Sequence, residues 1–168
     1  MIGPALATGV KMDSSQTVFR LERGVTGFRH VSEPPVPETE PRRCRRAWSA
    51  AARRARGQVG DFAEREYPQS FHSATINDRA GAHLALFQAQ VPLVAFVSDR
   101  RWAYSDEFLD PPAWAVALSP FGFTVLGTSL LMSPLTKVDT TALSAAEWRE
   151  IEYWKPKTLG ELLFNAWD

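Results

Sequence analysis

Four acidic side chains lie close together after the most apolar run of the chain, and they are Asp99, Asp106, Glu107 and Asp110. Loops that follow buried strands are where α/β enzymes keep their carboxylates, and grouped carboxylates can hold the metal ions of a nuclease or phosphatase. Such a site also needs a lysine or further carboxylates, and only Glu152 and Lys155, far along the chain, could join it. The alternative is a solvated loop in which Asp110 caps a helix. A metal-dependent hydrolase or nuclease is therefore one open interpretation.

The same loop combines arginine with aromatic residues, in the order Arg100, Arg101, Trp102 and Tyr104, with Asp106 and Glu107 just beyond. Trp, Tyr and Arg are the residue types that dominate binding hot spots. One interpretation is a protein-binding loop in which Trp102 and Tyr104 anchor a partner. The other is a strand in which these two side chains share a face and pack inward against Phe96.

Arginine dominates the segment 42–56, which marks a second candidate surface, and the arginines are Arg42, Arg43, Arg45, Arg46, Arg53, Arg54 and Arg56. We expect Arg45, Arg46, Arg53 and Arg54 to meet the acidic surface of a protein partner. Nucleic acid or a phospholipid surface are alternative partners, and an ordinary solvated face paired with Asp61, Glu64 and Glu66 is the simplest interpretation. The formal net charge of zero argues against a protein built mainly to coat nucleic acid.

Other chemistry finds little support in the residue pattern. The glycine-rich phosphate-binding motifs are absent, and His30, His72 and His83 have no metal-ligand spacing around them. Cys44 is the single cysteine, so no intrachain disulfide can form, and no neighbouring histidine could activate its thiol. The sequence therefore identifies no catalytic, cofactor or metal residue and favours a protein that binds without catalysing.

The composition predicts one soluble domain. The chain has 168 residues, of which 45% are hydrophobic, enough to bury a sizeable core. No charged segment precedes the first apolar residues as in a secretory signal, so we expect a cytoplasmic protein. Residues 111–136 carry no charge, but Pro120, Gly122 and Pro134 interrupt them. This stretch predicts a buried helix followed by strands and not a membrane span.

Residues 1–41 predict a disordered or weakly structured tail, because Pro34, Pro35, Pro37 and Pro41 alternate with glutamates. A single α/β domain would then occupy residues 42–168. Its first half predicts helices at residues 45–66 and 79–89, and strands at residues 72–76 and 93–97. Strands alternating with helices indicate a compact domain in which helices pack on a small mixed or mostly parallel sheet.

The second half predicts a helix at residues 110–119 that Asp110 caps and Gly122 stops, then strands at residues 123–126 and 129–132. Two capping boxes follow, Ser144 with Glu147 and Thr158 with Glu161. They predict helices that reach Tyr153 and Ala166.

The C-terminal segment 154–168, WKPKTLGELLFNAWD, resembles that of some small bacterial proteins, toxin-neutralising immunity proteins among them. The resemblance covers less than a tenth of the chain, and it implies a partner-binding role of an immunity or regulatory type. Together with the aromatic loop and the arginine run, it makes a non-enzymatic protein-binding domain the first interpretation. A nucleic-acid-binding protein that uses the arginine-rich helix is the alternative, and the metal-dependent hydrolase or nuclease is the second alternative.

Overall fold

A computed structural model of the chain describes residues 18–168. Its strands are β1 (Gln58–Ala63), β2 (Phe71–Asp78), β3 (Gly81–Gln88), β4 (Leu93–Val97), β5 (Phe108–Leu109) and β6 (Thr124–Val125). Its α-helices are α1 (Pro41–Ala55), α2 (Thr128–Leu131), α3 (Ala145–Trp154) and α4 (Leu159–Leu163), and its 3-10 helices are Ala113–Phe121 and Leu135–Lys137.

The six strands form one sheet in the order β1-β2-β3-β4-β5, with β6 beside the first half of β4. All pairs are antiparallel except β4 with β6. The α/β class is confirmed, but the prediction of a small mixed or mostly parallel sheet is wrong in its parallel character, because β4 with β6 is the one parallel pair among these strands. The helix predicted over residues 79–89 is also wrong, because the chain reverses in a tight turn that pairs Asp78 with Gly81 and then runs as β3. Gly81 has a φ of 125°, which only glycine adopts readily.

The centre of the sheet, which is β4 and most of β3, is buried on both faces. Leu84 and Leu86 of β3 point into one core, and Ala85 and Phe87 point into the other. The first core lies under α3, α4 and residues 19–28, and the second lies under α1 and the 3-10 helix Ala113–Phe121. A strand covered on both faces has no polar alternation, which is why its sequence can be mistaken for that of a buried helix.

Helix α1 is shorter than the predicted helix of residues 45–66. It ends where Arg56 adopts a left-handed conformation (φ 56°) and the Gly57 N–H donates to the Ala52 carbonyl. A Cβ at Gly57 would lie 2.5 Å from the Asn77 carbonyl oxygen, so the chain needs glycine to pass here into β1. The segment 58–63 therefore pairs with β2 as an edge strand and does not continue the helix.

Part of the predicted tail belongs to the folded domain. Residues 1–17 lie outside the described part of the chain, but Leu21 and Val25 are buried in the first core. The carboxylate of Glu147 on α3 accepts hydrogen bonds from the Gly24 N–H (2.9 Å) and from the N–H and hydroxyl of Thr26 (3.1 and 2.8 Å). Residues 21–28 therefore pack against the rest of the domain and belong to its fold.

Local signals in the second half of the chain are confirmed only in part. Ser144 and Glu147 form the predicted capping box at the start of α3, and Gly122 ends the preceding 3-10 helix with a φ of 88°. Residues 129–132 belong to α2 and its cap and not to the predicted strand, and Asp110 accepts from the Thr128 N–H rather than capping the 3-10 helix.

Within residues 18–168, no helix is long and apolar enough to cross a membrane.

Candidate protein-binding surface

Tyr104, which is only 2% exposed, attaches the loop between β4 and β5 to the core. Its hydroxyl donates to the Asp99 carbonyl (2.9 Å) and accepts from the Arg101 N–H (2.8 Å), and its ring packs edge-on against Phe71. The Tyr104 N–H also donates to the Phe164 carbonyl at the end of α4. Tyr104 is one of the two predicted anchors, but its burial in the first core makes it a support for the loop.

Ion pairs hold the two arginines of this loop. Arg101 pairs with Asp99 (3.0 Å) and Glu107 (3.6 Å), while Arg100 pairs with Asp61 of β1 (3.1 Å) and donates to the Ser73 hydroxyl. Burial acts to raise the pKa of Glu107, but hydrogen bonds from backbone N–H groups and the charge of Arg101 outweigh it and lower that pKa. These contacts fix the loop on both flanks of its central tryptophan.

Trp102 projects from the loop with 52% of its surface exposed, and the Gln69 side chain donates to its carbonyl (3.1 Å). It stands between two clefts. The first has a volume of about 290 Å³. It lies between Arg100, Arg101 and Trp102 on one side and residues 63–69, from the end of β1 into its connection with β2, on the other. The second, of about 310 Å³, has Trp154 and Trp167 among its walls. A single exposed indole therefore lines two concave surfaces.

Trp167 continues the surface into a third cleft of about 360 Å³, which Tyr67 also lines. Tyr67 is 79% exposed, and its hydroxyl donates to Asp168 Oδ1 (2.8 Å), an interaction that raises the pKa of the phenol. Tyr67, Trp102, Trp154 and Trp167 are called the aromatic surface below. Of these four residues, only Trp102 is predicted from the sequence to belong to a binding surface. Tyr67 comes from a loop, and Trp154 and Trp167 come from the C-terminal segment; the fold brings them to the same place.

The arginine run forms the outer face of α1. Cys44, Ala47, Trp48 and Ala51 form the inner face and are buried against the sheet. Arg45 lies over the Phe62 ring and pairs with Glu64 (3.1 Å), and Arg43 donates to the Phe121 carbonyl. The others make no ion pair within residues 18–168, and they are Arg42, Arg46, Arg53, Arg54 and Arg56. We call these five side chains and Arg45 the arginine face.

The two predicted parts of the binding surface lie on opposite faces of the sheet. Helix α1 covers the second core, whereas the loop of Trp102 rests on the first. Edge strand β1 lies between the two regions. Glu64, the residue after β1, contacts both of them, because its carboxylate pairs with Arg45 and the residue also lines the first cleft. One flat partner surface cannot cover both regions without wrapping around this edge.

The acidic cluster is not assembled into a metal site. Asp99 pairs with Arg101, Asp110 accepts from Thr128, and Glu107 accepts from the N–H groups of Ser105 and Asp106. Within the part of the chain that the structure describes, no three His, Cys, Asp or Glu side chains are grouped to hold a metal ion.

Burial shifts the pKa values of two titratable groups, Cys44 and His72. Burial raises the pKa of the Cys44 thiol to about 12 and lowers the pKa of His72, whose Nδ1 accepts from the Arg65 N–H (3.0 Å).

Comparisons with protein-family models, curated proteins and solved structures found no match to this chain.

Proposed function

We propose that the protein is a non-enzymatic protein-binding domain whose partner docks on the aromatic surface, with Trp102 as the central anchor. The observation that supports this most directly is the position of Trp102. Its indole is half exposed at the junction of two clefts, in a loop that hydrogen bonds and ion pairs hold on both sides. A rigid, exposed tryptophan beside arginines is typical of a binding hot spot.

The fixed loop favours affinity because little conformational entropy remains to be lost when a partner binds. Immobilising a flexible side chain at an interface costs about 0.5–1.5 kcal/mol. The Trp102 carbonyl is already held by Gln69, and the neighbouring arginines are already paired. Most of the free energy gained by burying the indole should therefore contribute to binding.

The arginine face supports a partner that carries an acidic surface and wraps around the edge of β1 to reach it. Residues 41–57 contain seven arginines and no acid, so the remainder of this neutral chain sums to a charge of −7. A compact acidic patch on a protein can meet the arginine face alone. A long nucleic acid would also run over the acidic remainder and be repelled. Charges of this kind act mainly on the rate of association.

An immunity-type protein, which neutralises a toxin by covering it, and a regulatory binding protein are the specific forms of this proposal. In either form the partner is a single protein that binds in a fixed ratio. The nucleic-acid-binding alternative requires instead that the arginine face alone carries the affinity, with a steep loss of binding as salt rises.

The test is capture of partners from the native host with wild-type protein, Trp102→Ala and Trp148→Ala. Trp148 is the matched control, because it is a partly exposed tryptophan (37%) on α3 that lines none of the three clefts. We expect one stoichiometric protein that Trp102→Ala releases, with a loss of about 2 kcal/mol or more, and that Trp148→Ala retains. Recovery of nucleic acid alone, lost at moderate salt, would contradict the proposal.

A further inference from the structure

The second cleft is lined by three of the six tryptophans of the chain, Trp102, Trp154 and Trp167. The rings of Trp154 and Trp167 are parallel, with centroids 5.9 Å apart and an angle of 2° between their planes. The Trp154 indole N–H donates to Glu150 (3.2 Å), which fixes the ring from its outer edge. Trp102 lines the same cleft and is half exposed. The cleft, called the tryptophan cleft below, is therefore an aromatic enclosure open to solvent.

One ionic group belongs to this enclosure, and it is an anion. Glu161 of α4 lines the cleft together with small and aromatic residues, and no lysine or arginine of the described chain does. Its Oε1 accepts from the Lys157 N–H (3.1 Å), whereas Oε2 accepts no hydrogen bond from residues 18–168. The cleft thus places a carboxylate with a free oxygen beside indole rings, of which Trp102 and Trp154 are accessible to an occupant while Trp167 is mostly buried beneath Trp154.

We infer that the tryptophan cleft binds an organic cation, and that its occupant is a lysine or arginine side chain of the partner protein. Indole is the best aromatic acceptor for a cation, and aromatic enclosures are the usual means of recognising substituted ammonium groups. The methylene stem of lysine or arginine would pack against the rings while the charged end faces Glu161. This inference rests on the proposed function, because it names the chemistry of the partner residue at that surface.

An organic cation explains features that a purely apolar occupant does not. An apolar side chain would bury Oε2 of the charged Glu161 without a partner, which is costly in a desolvated cleft. An anionic side chain would be repelled by Glu161 and by the negative faces of the rings. A cation interacts favourably with both the Glu161 carboxylate and the indole rings. The tryptophan cleft is separate from the arginine face, where we propose acidic contacts.

The direct test uses the full-length protein and small probes in a nuclear magnetic resonance titration of the tryptophan indole N–H signals. The probes are Nα-acetyl-lysinamide, Nα-acetyl-argininamide and the neutral analogue Nα-acetyl-norleucinamide. We expect the charged probes to shift the signals of Trp102, Trp154 and Trp167 and to bind about 2- to 30-fold tighter than the neutral one. The Trp148 signal, from outside the cleft, should not move.

Variants identify the groups responsible. Trp102→Leu and Glu161→Gln should each weaken binding of Nα-acetyl-lysinamide by several-fold, while Trp148→Phe should not. Glu161→Gln keeps a carbonyl for the Lys157 N–H, so a change in affinity reports the lost charge. A neutral probe that binds as tightly as the charged ones would overturn the inference. So would choline binding tenfold tighter than both charged amino-acid probes, because the site would then serve a free quaternary ammonium compound.

The outcome separates this inference from the proposed function. If no cation binds but capture of the partner still depends on Trp102, the inference fails and the protein-binding domain stands. If the probes bind as expected but Trp102→Ala captures the same protein undiminished, the cation site stands and Trp102 is not the anchor of that partner.

Discussion

Replacing Glu147 by glutamine should weaken the attachment of residues 21–28 to α3. The carboxylate is fully buried, and its two oxygens accept five hydrogen bonds, from the N–H groups of Gly24, Thr26 and Ser144 and from the hydroxyls of Thr26 and Ser144. A carboxylate can accept from all of these groups, whereas an amide has only one accepting oxygen. The change therefore alters the number of acceptors without changing the size of the side chain.

The magnitude follows from the best placement of the amide. Its oxygen would take the position of Oε1, which serves Gly24 and Ser144, and its NH₂ would replace Oε2. The Thr26 hydroxyl could rotate to accept from this NH₂, but the Thr26 N–H would lose its acceptor. A buried donor without a partner costs about 1–3 kcal/mol. With the weaker bonds of a neutral acceptor added, we expect Glu147→Gln to lower the free energy of unfolding by about 2–4 kcal/mol.

Denaturant unfolding measures this loss, and hydrogen exchange at the amides of Gly24 and Thr26 locates it. Glu152→Gln is the matched control, because Glu152 is exposed on the same helix and its side chain makes no hydrogen bond or ion pair within residues 18–168. The control should unfold like the wild type. If Glu147→Gln loses less than about 0.5 kcal/mol, as an ordinary surface substitution does, and exchange at both amides is unchanged, the reasoning is refuted.

Three further predictions concern buried groups. The Cys44 thiol, with a pKa of about 12 and no exposed surface, should not react with thiol reagents at neutral pH until the protein unfolds; labelling of the native protein would contradict this. Burial lowers the pKa of His72 below 6.5, so the unfolded chain binds a proton at a higher pH than the folded one, and stability should fall as the pH drops below about 6.5; a His72→Gln variant with the same dependence across this range would exclude this cause. Phe164 is completely buried, so Phe164→Ala should cost about 3–5 kcal/mol in denaturant unfolding, and an unchanged melting temperature would show that α4 is not part of the core.

Elements that local chemistry specifies can be found from the sequence alone. The capping box of Ser144 and Glu147 starts α3, because the groups that form it lie within one helical turn of each other. The apolar run Leu93–Val97 is a strand buried on both faces, and Gly122 ends the 3-10 helix Ala113–Phe121. These features depend on neighbours in the chain, so a pattern of residue types is enough to find them.

Tertiary packing decides whether residues 81–88 form a strand or a helix, because the burial of residues 84–88 on both faces removes the periodicity that separates the two. It also decides that Tyr104 points into the core while Trp102, so close to it in sequence, points to solvent. The tryptophan cleft depends on residues that are distant in sequence, since Trp102 lies there beside Trp154 and Trp167. No local pattern records such contacts, because they arise only when α4 docks on the sheet and brings the C-terminal residues beside the β4–β5 loop.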